Sequence, residues 1–306
     1  MITHRVHRDL ARAISGVENG IVGFPSALAT LRAQGHGNGL HRAEVIGVTG
    51  PPGAGKSTLV DRLIEGFRAE GESVAVIAVD PSSPFTQGAV LGDRVRMQRH
   101  ASDAEVYIRS MASRSSGGGL APATRDAVRL AEAAAFDVVI VETVGVGQVE
   151  LEVVAVADLI VVVTVPALGD GVQAIKAGLT EIADIFVVNM ADRPGANRTA
   201  VDLKHMVRES HREIPVLQTI AQDGSGVSEL LAAIVARRGT DDSNAVRAVR
   251  FEVVRQARDR AVAAALAALD SPDAGAVLQR LRDHDITRND AIDALLTILG
   301  GPVHAH

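Results

Sequence analysis

Six short runs dominated by Val and Ile set what this chain can fold into: Val45–Thr49, Val74–Asp80, Val138–Glu142, Ile160–Val165, Phe186–Asn189 and Val216–Thr219. Each is continuous rather than alternating in its apolar content, so a strand made from it is expected to be covered on both faces. Helix-length sequence separates each run from the next, which is what parallel strands joined by crossover helices require. The expected class is therefore α/β, a doubly wound, mainly parallel sheet over residues 44–238. A helical extension over 1–43 precedes it and a helical arm over 239–306 follows.

The extension opens on Thr3–Glu18, where Leu10, Ile14 and Val17 recur at helical spacing, and ends in the loop Gly35-His36-Gly37-Asn38-Gly39. The arm begins with a linker, Gly239-Thr240-Asp241-Asp242-Ser243-Asn244, followed by an Ala/Arg/Val helix from about Ala245 to Leu269. Ser271-Pro272-Asp273 breaks that helix. Thr287-Arg288-Asn289-Asp290 has the form of a helix-start cap ahead of Ile292, Leu295, Leu296 and Leu299. An apolar stripe without a sheet of its own must be buried on the core of the same chain or on a second subunit, as in a dimerisation arm.

Composition removes several functional classes. The absence of Cys excludes disulfide scaffolds, zinc–thiolate and iron–sulfur ligation, and thiol catalysis. A net charge of −6 offers no attraction to a polyanion, and six Phe, one Tyr and no Trp leave few platforms for stacking nucleic-acid bases. The start of the chain is charged and amphipathic rather than an apolar signal core, and the most apolar run, Val153–Leu168, is interrupted by Asp158 and too short to span a bilayer. The expectation is a cytoplasmic protein with neither nucleic-acid nor membrane partners.

The strongest chemical signal is Gly50-Pro51-Pro52-Gly53-Ala54-Gly55-Lys56-Ser57, followed by Thr58. It matches the phosphate-binding P-loop and lies between an expected strand and an expected helix, the context that the motif needs. The glycines let the backbone curl so that its N–H groups face phosphate, and the helix adds its positive end. Lys56 is expected to reach the β- and γ-phosphates and the Ser57 hydroxyl to ligate Mg²⁺. Three acids fall near that site if ligands bind at the carboxyl ends of the strands. Asp80 closes the second run, Asp93 follows in Gly92-Asp93-Arg94, and Glu142 closes the third run ahead of Gly145. They are candidate metal ligands, direct or through water; Asp80 also reads as a turn or cap residue and Asp93 as a solvated acid. Only three lysines occur, Lys56, Lys176 and Lys204.

Asn189-Met190-Ala191-Asp192, after the fifth run, resembles the guanine-reading Asn-Lys-x-Asp of G proteins, with Met190 where Lys is usual. Thr219-Ile220-Ala221, continuing to Gln222, would form the second guanine loop, where a backbone N–H meets the base carbonyl.

The chain as a whole resembles the ArgK/MeaB group of P-loop GTPases. The resemblance is carried by Leu10–Ser15, Gly47–Thr58, Val79-Asp80-Pro81-Ser82-Ser83-Pro84-Phe85-Thr86, Leu91–Arg94, Arg109–Ala112 and Val141-Glu142-Thr143-Val144-Gly145-Val146-Gly147-Gln148. It implies a homodimeric G protein using GTP/GDP and Mg²⁺. Such a protein gates cofactor loading of an adenosylcobalamin-dependent acyl-CoA mutase, of the methylmalonyl-CoA mutase type, and protects or reactivates it. On that resemblance Ser57, Asp80, Asp93 and Glu142 serve the metal and its waters, and residues 80–93 and 142–152 are the first two switches. A third switch spans 165–176, with Gln173 and Lys176 moving toward the nucleotide once a mutase is bound; Lys176 also reads as a solvated helix residue. No glutamine follows Gly145 directly to orient a water, since Val146 stands there, so slow hydrolysis stimulated by a partner is expected. The alternatives are a metal-insertion GTPase, which scattered His and absent Cys disfavour, and an ATP-dependent kinase or transport ATPase, for which no adenine or acceptor site is visible.

Overall fold

The computed structural model describes residues 2–36, 42–81, 98–113, 122–143, 153–166, 182–209 and 212–239, together with 249, 253–254, 257, 260–264, 266–267, 269 and 271–298. The chain divides into two compact units, Met1–Ala248 and Val249–His306.

The first unit is built on a seven-stranded sheet, every pairing of which is parallel. Its strands are β1 (Glu44–Thr49), β2 (Val74–Pro81), β3 (Val106–Ser113), β4 (Val138–Glu142), β5 (Leu159–Thr164), β6 (Ile185–Asn189) and β7 (Val216–Thr219). Six of them coincide with the apolar runs. The seventh, β3, has the less apolar sequence VYIRSMAS and lies at the sheet edge, pairing with β2 alone. Its Arg109 donates to Ser15 Oγ (3.1 Å) and Glu18 Oε2 (2.7 Å) of the first helix. Polar contacts there replace the two-sided apolar cover of the central strands.

Helices α1 (His4–Glu18), α2 (Phe24–Ala33), α3 (Lys56–Ala69), α4 (Pro122–Ala133), α5 (Ala196–Glu209) and α6 (Val227–Val235) surround the sheet. The Thr3 side chain caps α1, and α1 packs on α2 and α4. Along α3, Leu59, Val60, Leu63, Ile64 and Phe67 recur at helical spacing and meet Ile46 and Val48 of β1 and Val161 and Val163 of β5 in one core cluster. Val227, Leu230 and Ile234 of α6 join the same cluster. A Cβ on Gly66 would lie 2.9 Å from Leu231, so α3 and α6 run in close contact.

The strand order is β3-β2-β4-β1-β5-β6-β7. From β1 the chain first builds the β4, β2 and β3 side and then crosses to β5, β6 and β7. The carboxyl end of β1, where the P-loop begins, therefore sits at the topological switch point, where α/β sheets bind ligands. At the opposite end of the strands Arg238 pairs with Glu44 and with Glu72 (2.7 Å between Nη2 and Oε2), its guanidinium 5.2 Å from the Phe67 ring centre. Burial outweighs the attraction of Arg238 and pushes the Glu44 carboxyl up to about 7.

In the second unit the described residues between 249 and 269 are helical. They are followed by α7 (Pro272–Arg282) and α8 (Arg288–Ile298), which pack on each other. Ser271 caps α7, its hydroxyl accepting from the Ala274 N–H. The anticipated cap at Thr287 forms as a reciprocal box. The Thr287 N–H and hydroxyl both donate to Asp290 Oδ2 (3.0 and 2.7 Å), and the Asp290 N–H donates to Thr287 Oγ1 (3.2 Å). No helix among the described residues is long and apolar enough to cross a membrane.

Candidate functional site

The turn from β1 into α3 is made possible by residues without a side chain. A Cβ on Gly50 (φ +140°) would fall 1.9 Å from the Val163 carbonyl oxygen, so only glycine lets the loop leave β1 this close to β5. Gly55, at φ +80°, is the N-cap of α3 in the left-handed region. Behind it Lys56 and Ser57 are buried in the first turn. The Lys56 ammonium lies over the loop, donating to the Gly50 and Pro51 carbonyls at 2.8 and 3.0 Å. The Ser57 hydroxyl donates to Glu142 Oε1 at 2.6 Å.

Glu142 arrives there because β4 lies beside β1 in a register that opposes it to Val48. Thr143 locks the same strand end. Its N–H donates to the Val48 carbonyl (3.1 Å) and its hydroxyl to Thr49 Oγ1 (2.9 Å). A hydroxyl and a buried carboxylate at the edge of a P-loop are hard oxygen donors, suited to Mg²⁺ that completes its shell with phosphate and water. Asp80 is the last residue but one of β2, which pairs with β4 through Ala78 opposite Glu142. Asp93, Gln148, Gln173 and Lys176 lie outside the described residues.

Asn189, at the end of β6, joins the two halves of the site. Its Nδ2 donates to the Ala54 carbonyl of the P-loop (2.9 Å), while Oδ1 accepts from Thr219 Oγ1 and from the Ala221 N–H, both at 3.1 Å. The amide occupies the space a Cβ on Gly55 would need, 2.4 Å from Nδ2, and the Met190 methyl lies 3.7 Å from the same point. Met190 itself is left-handed, at φ +56°. The Ala191 N–H donates to the Thr219 carbonyl (3.0 Å), and Asp192 is exposed in the turn that follows. Asn189, Met190 and Gly55 are thus brought together, with Ala221 on the far side of the Asn189 amide.

The 220–226 loop is closed by a bridge between Ile220 and Ser225 and tightened at Asp223, whose Oδ1 accepts from the Ser225 N–H (2.8 Å). That hydrogen bond holds the Asp223 carboxyl below the usual carboxylate range. Three participants have no role assigned from sequence. Thr49 and Thr143, which lie inside the segments that carry the family resemblance, pin β1 to β4, and Arg62 of α3, outside all of those segments, donates to the Ala221 and Gln222 carbonyls at 3.0 and 2.5 Å. The signal for Arg62 is position alone, one helical turn beyond the P-loop.

The family model described as "Methylmalonyl Co-A mutase-associated GTPase MeaB" matches residues 10–270. A Pyrococcus horikoshii protein named as a candidate GTPase is 57% identical over 195 residues, 61% of this chain and 62% of that protein, so the match spans under two thirds of the relative's length. A fused isobutyryl-CoA mutase of Geobacillus kaustophilus is 38% identical over 205 residues, 63% of this chain and 19% of that much longer protein. The crystal structure of an LAO/AO transport system kinase superposes with a TM-score of 0.65 at 26% identity, covering 97% of this chain and 96% of that one.

Proposed function

The chain belongs to the MeaB family of methylmalonyl-CoA mutase-associated GTPases, and from that premise we propose that it binds and hydrolyses GTP to gate cofactor loading and reactivation of an adenosylcobalamin-dependent acyl-CoA mutase. The observation that carries the nucleotide part is the Asn189 junction. One buried amide ties the P-loop at Ala54 to the loop after β7 at Thr219 and Ala221. The P-loop and the loop proposed to read the base are thereby coupled through one side chain, an arrangement that suits a guanine-nucleotide site. The mutase part is supported by the family and by the relative in which a similar segment is fused to an isobutyryl-CoA mutase.

Phosphoryl transfer to water asks for position and charge more than for covalent chemistry. Lys56, held in place by two loop carbonyls, transfers its donors to β- and γ-phosphate oxygens. Ser57 and Glu142, with Asp80 and Asp93, would hold Mg²⁺, which would supply neutralising charge to the phosphates. Asp192 accepts from the guanine N1–H and 2-amino group, and Met190 covers the base. No group in the P-loop turn is a ready general base, so hydrolysis is slow until a bound mutase brings Gln173 and Lys176 toward the nucleotide. The C-terminal unit, with Val249, Val253, Val254, Val262 and Leu266 exposed, pairs two copies into a homodimer. The protein acts in the cytoplasm, where its client works.

The fused relative favours a second client, an isobutyryl-CoA mutase, beside the methylmalonyl-CoA enzyme. Phosphate release from GTP and from ATP, measured alone and with each mutase, tests the proposal, with Lys56→Ala as control. GTP-specific release accelerated by one mutase is expected. Equal use of ATP, or no acceleration by either mutase, defeats it.

A further inference from the structure

Arg62 shapes the loop after β7 from outside. All three of its guanidinium nitrogens are engaged: Nε with the Ala221 carbonyl (3.0 Å), Nη2 with the Gln222 carbonyl (2.5 Å) and Nη1 with Glu65 Oε2 (3.0 Å). Glu65 is in turn held by Arg99 Nη1 (2.6 Å), whose Nε reaches Asp61 Oδ1 (2.8 Å), an oxygen shared with His100 Nε2 (2.9 Å). The fork is therefore braced along the polar face of α3, about one and a half helical turns beyond Lys56 and Ser57.

Drawing two consecutive carbonyls toward α3 has a geometric consequence. A trans peptide carries its C=O and N–H on opposite edges of one plane. With the Ala221 carbonyl held on Arg62, the Gln222 N–H must face away from α3. The neighbouring donors are spent within the loop: the Ala221 N–H on Asn189 Oδ1 (3.1 Å) and the Asp223 N–H on the Ile220 carbonyl (3.2 Å). Among the described residues the Gln222 N–H has no acceptor.

We propose that Arg62 is a positioning residue for base recognition, fixing the peptide between Ala221 and Gln222 so that the Gln222 N–H is presented to the 6-oxo group of a bound purine. The proposal rests on the guanine-nucleotide reading above. Lysine is not equivalent at this position, because a single ammonium lacks the planar fork that spans two carbonyls.

The test uses the full chain with Mg²⁺ and four nucleotides: GDP, 6-thio-GDP, IDP and ADP. The thio analogue weakens only the acceptor at position 6, whereas IDP lacks only the 2-amino group read by Asp192. Arg62→Met is expected to shrink the preference for GDP over 6-thio-GDP about fivefold, the value of one neutral hydrogen bond. The preference for GDP over IDP stays within about twofold of the parent value, since the Asp192 contact does not depend on Arg62. Arg62→Lys shifts the thio ratio in the same direction and carries the test if the Met variant does not fold. Glu65→Gln, which leaves the fork on its carbonyls, leaves both ratios unchanged.

A parent that prefers GDP to ADP but whose thio ratio is unmoved in Arg62→Met overturns the role of Arg62 alone. Parallel loss of both ratios, or an equal shift in Glu65→Gln, overturns it too, by pointing to general loosening of α3. A parent that binds ADP as tightly as GDP overturns the guanine reading and this proposal together.

Discussion

The Ser57 hydroxyl donates to Glu142 Oε1 at 2.6 Å, joining the first turn of α3 to the end of β4 across 85 residues of sequence. Both side chains are buried, at 6% and 3% exposure, so water does not supply the bulk of their solvation. A carboxylate buried beside the Ser57 hydroxyl at the edge of the P-loop is a hard oxygen donor well suited to a cation brought in with phosphate.

Replacing Glu142 by Gln keeps the shape and the acceptor for Ser57 but removes the charge. GTP hydrolysis is expected to fall about tenfold or more, with the Mg²⁺ concentration for half-maximal rate rising. Phosphate release titrated with Mg²⁺ measures both. An unchanged Mg²⁺ dependence removes Glu142 from the metal site.

Asn189→Ala deletes the amide that serves Ala54, Thr219 and Ala221 at once. Buried groups left without partners cost about 1–3 kcal/mol each before relaxation. A loss of about 2–4 kcal/mol in denaturant unfolding, with nucleotide affinity reduced by more than stability alone explains, is expected. Gly55→Ala should act on the same junction, because its Cβ would meet Asn189 Nδ2 at 2.4 Å and its φ is +80°.

Met190 packs its methyl beside Gly55 but has no donor to offer the nucleotide. Met190→Lys retains an apolar stem there and adds an ammonium, so calorimetry is expected to show GTP binding tightened about fivefold. The left-handed backbone at φ +56° is equally costly for either residue, so thermal stability should hardly move. Unaltered affinity would mean that Met190 does not cover the base.

Glu44 titrates near 7 in the fold against an ordinary value of 4.5, because burial disfavours its charge more than Arg238 favours it. The folded state therefore holds a proton that the unfolded chain releases. This contribution to stability is complete below pH about 4.5 and is lost as pH rises to about 7. Glu44→Gln should flatten the melting temperature between those limits. A variant curve that keeps the full slope assigns the pH dependence elsewhere.

The central strands were legible because burial on both faces writes itself into continuous Val and Ile, as in β1, β4 and β5. β3 escaped notice because an edge strand tolerates Arg109 and Ser110, with Arg109 satisfied by Ser15 and Glu18 from another element. Helix α2 is only ten residues long, and Gly23 and Pro25 were its sole start signals.

Local chemistry, then, was determined by sequence alone. The glycines of the P-loop demand a strand–turn–helix path, and Lys56 and Ser57 follow one another into the first turn of α3. The tertiary structure decided which strand ends became neighbours. Ser57 meets Glu142, Asn189 meets Ala54 across 135 residues, and Arg62 meets Ala221 across 159, only because the sheet is ordered β3-β2-β4-β1-β5-β6-β7. A backbone turn is governed by the φ and ψ of the residues that make it. A contact across the sheet is governed by the collective burial of seven strands, which no short stretch of sequence encodes.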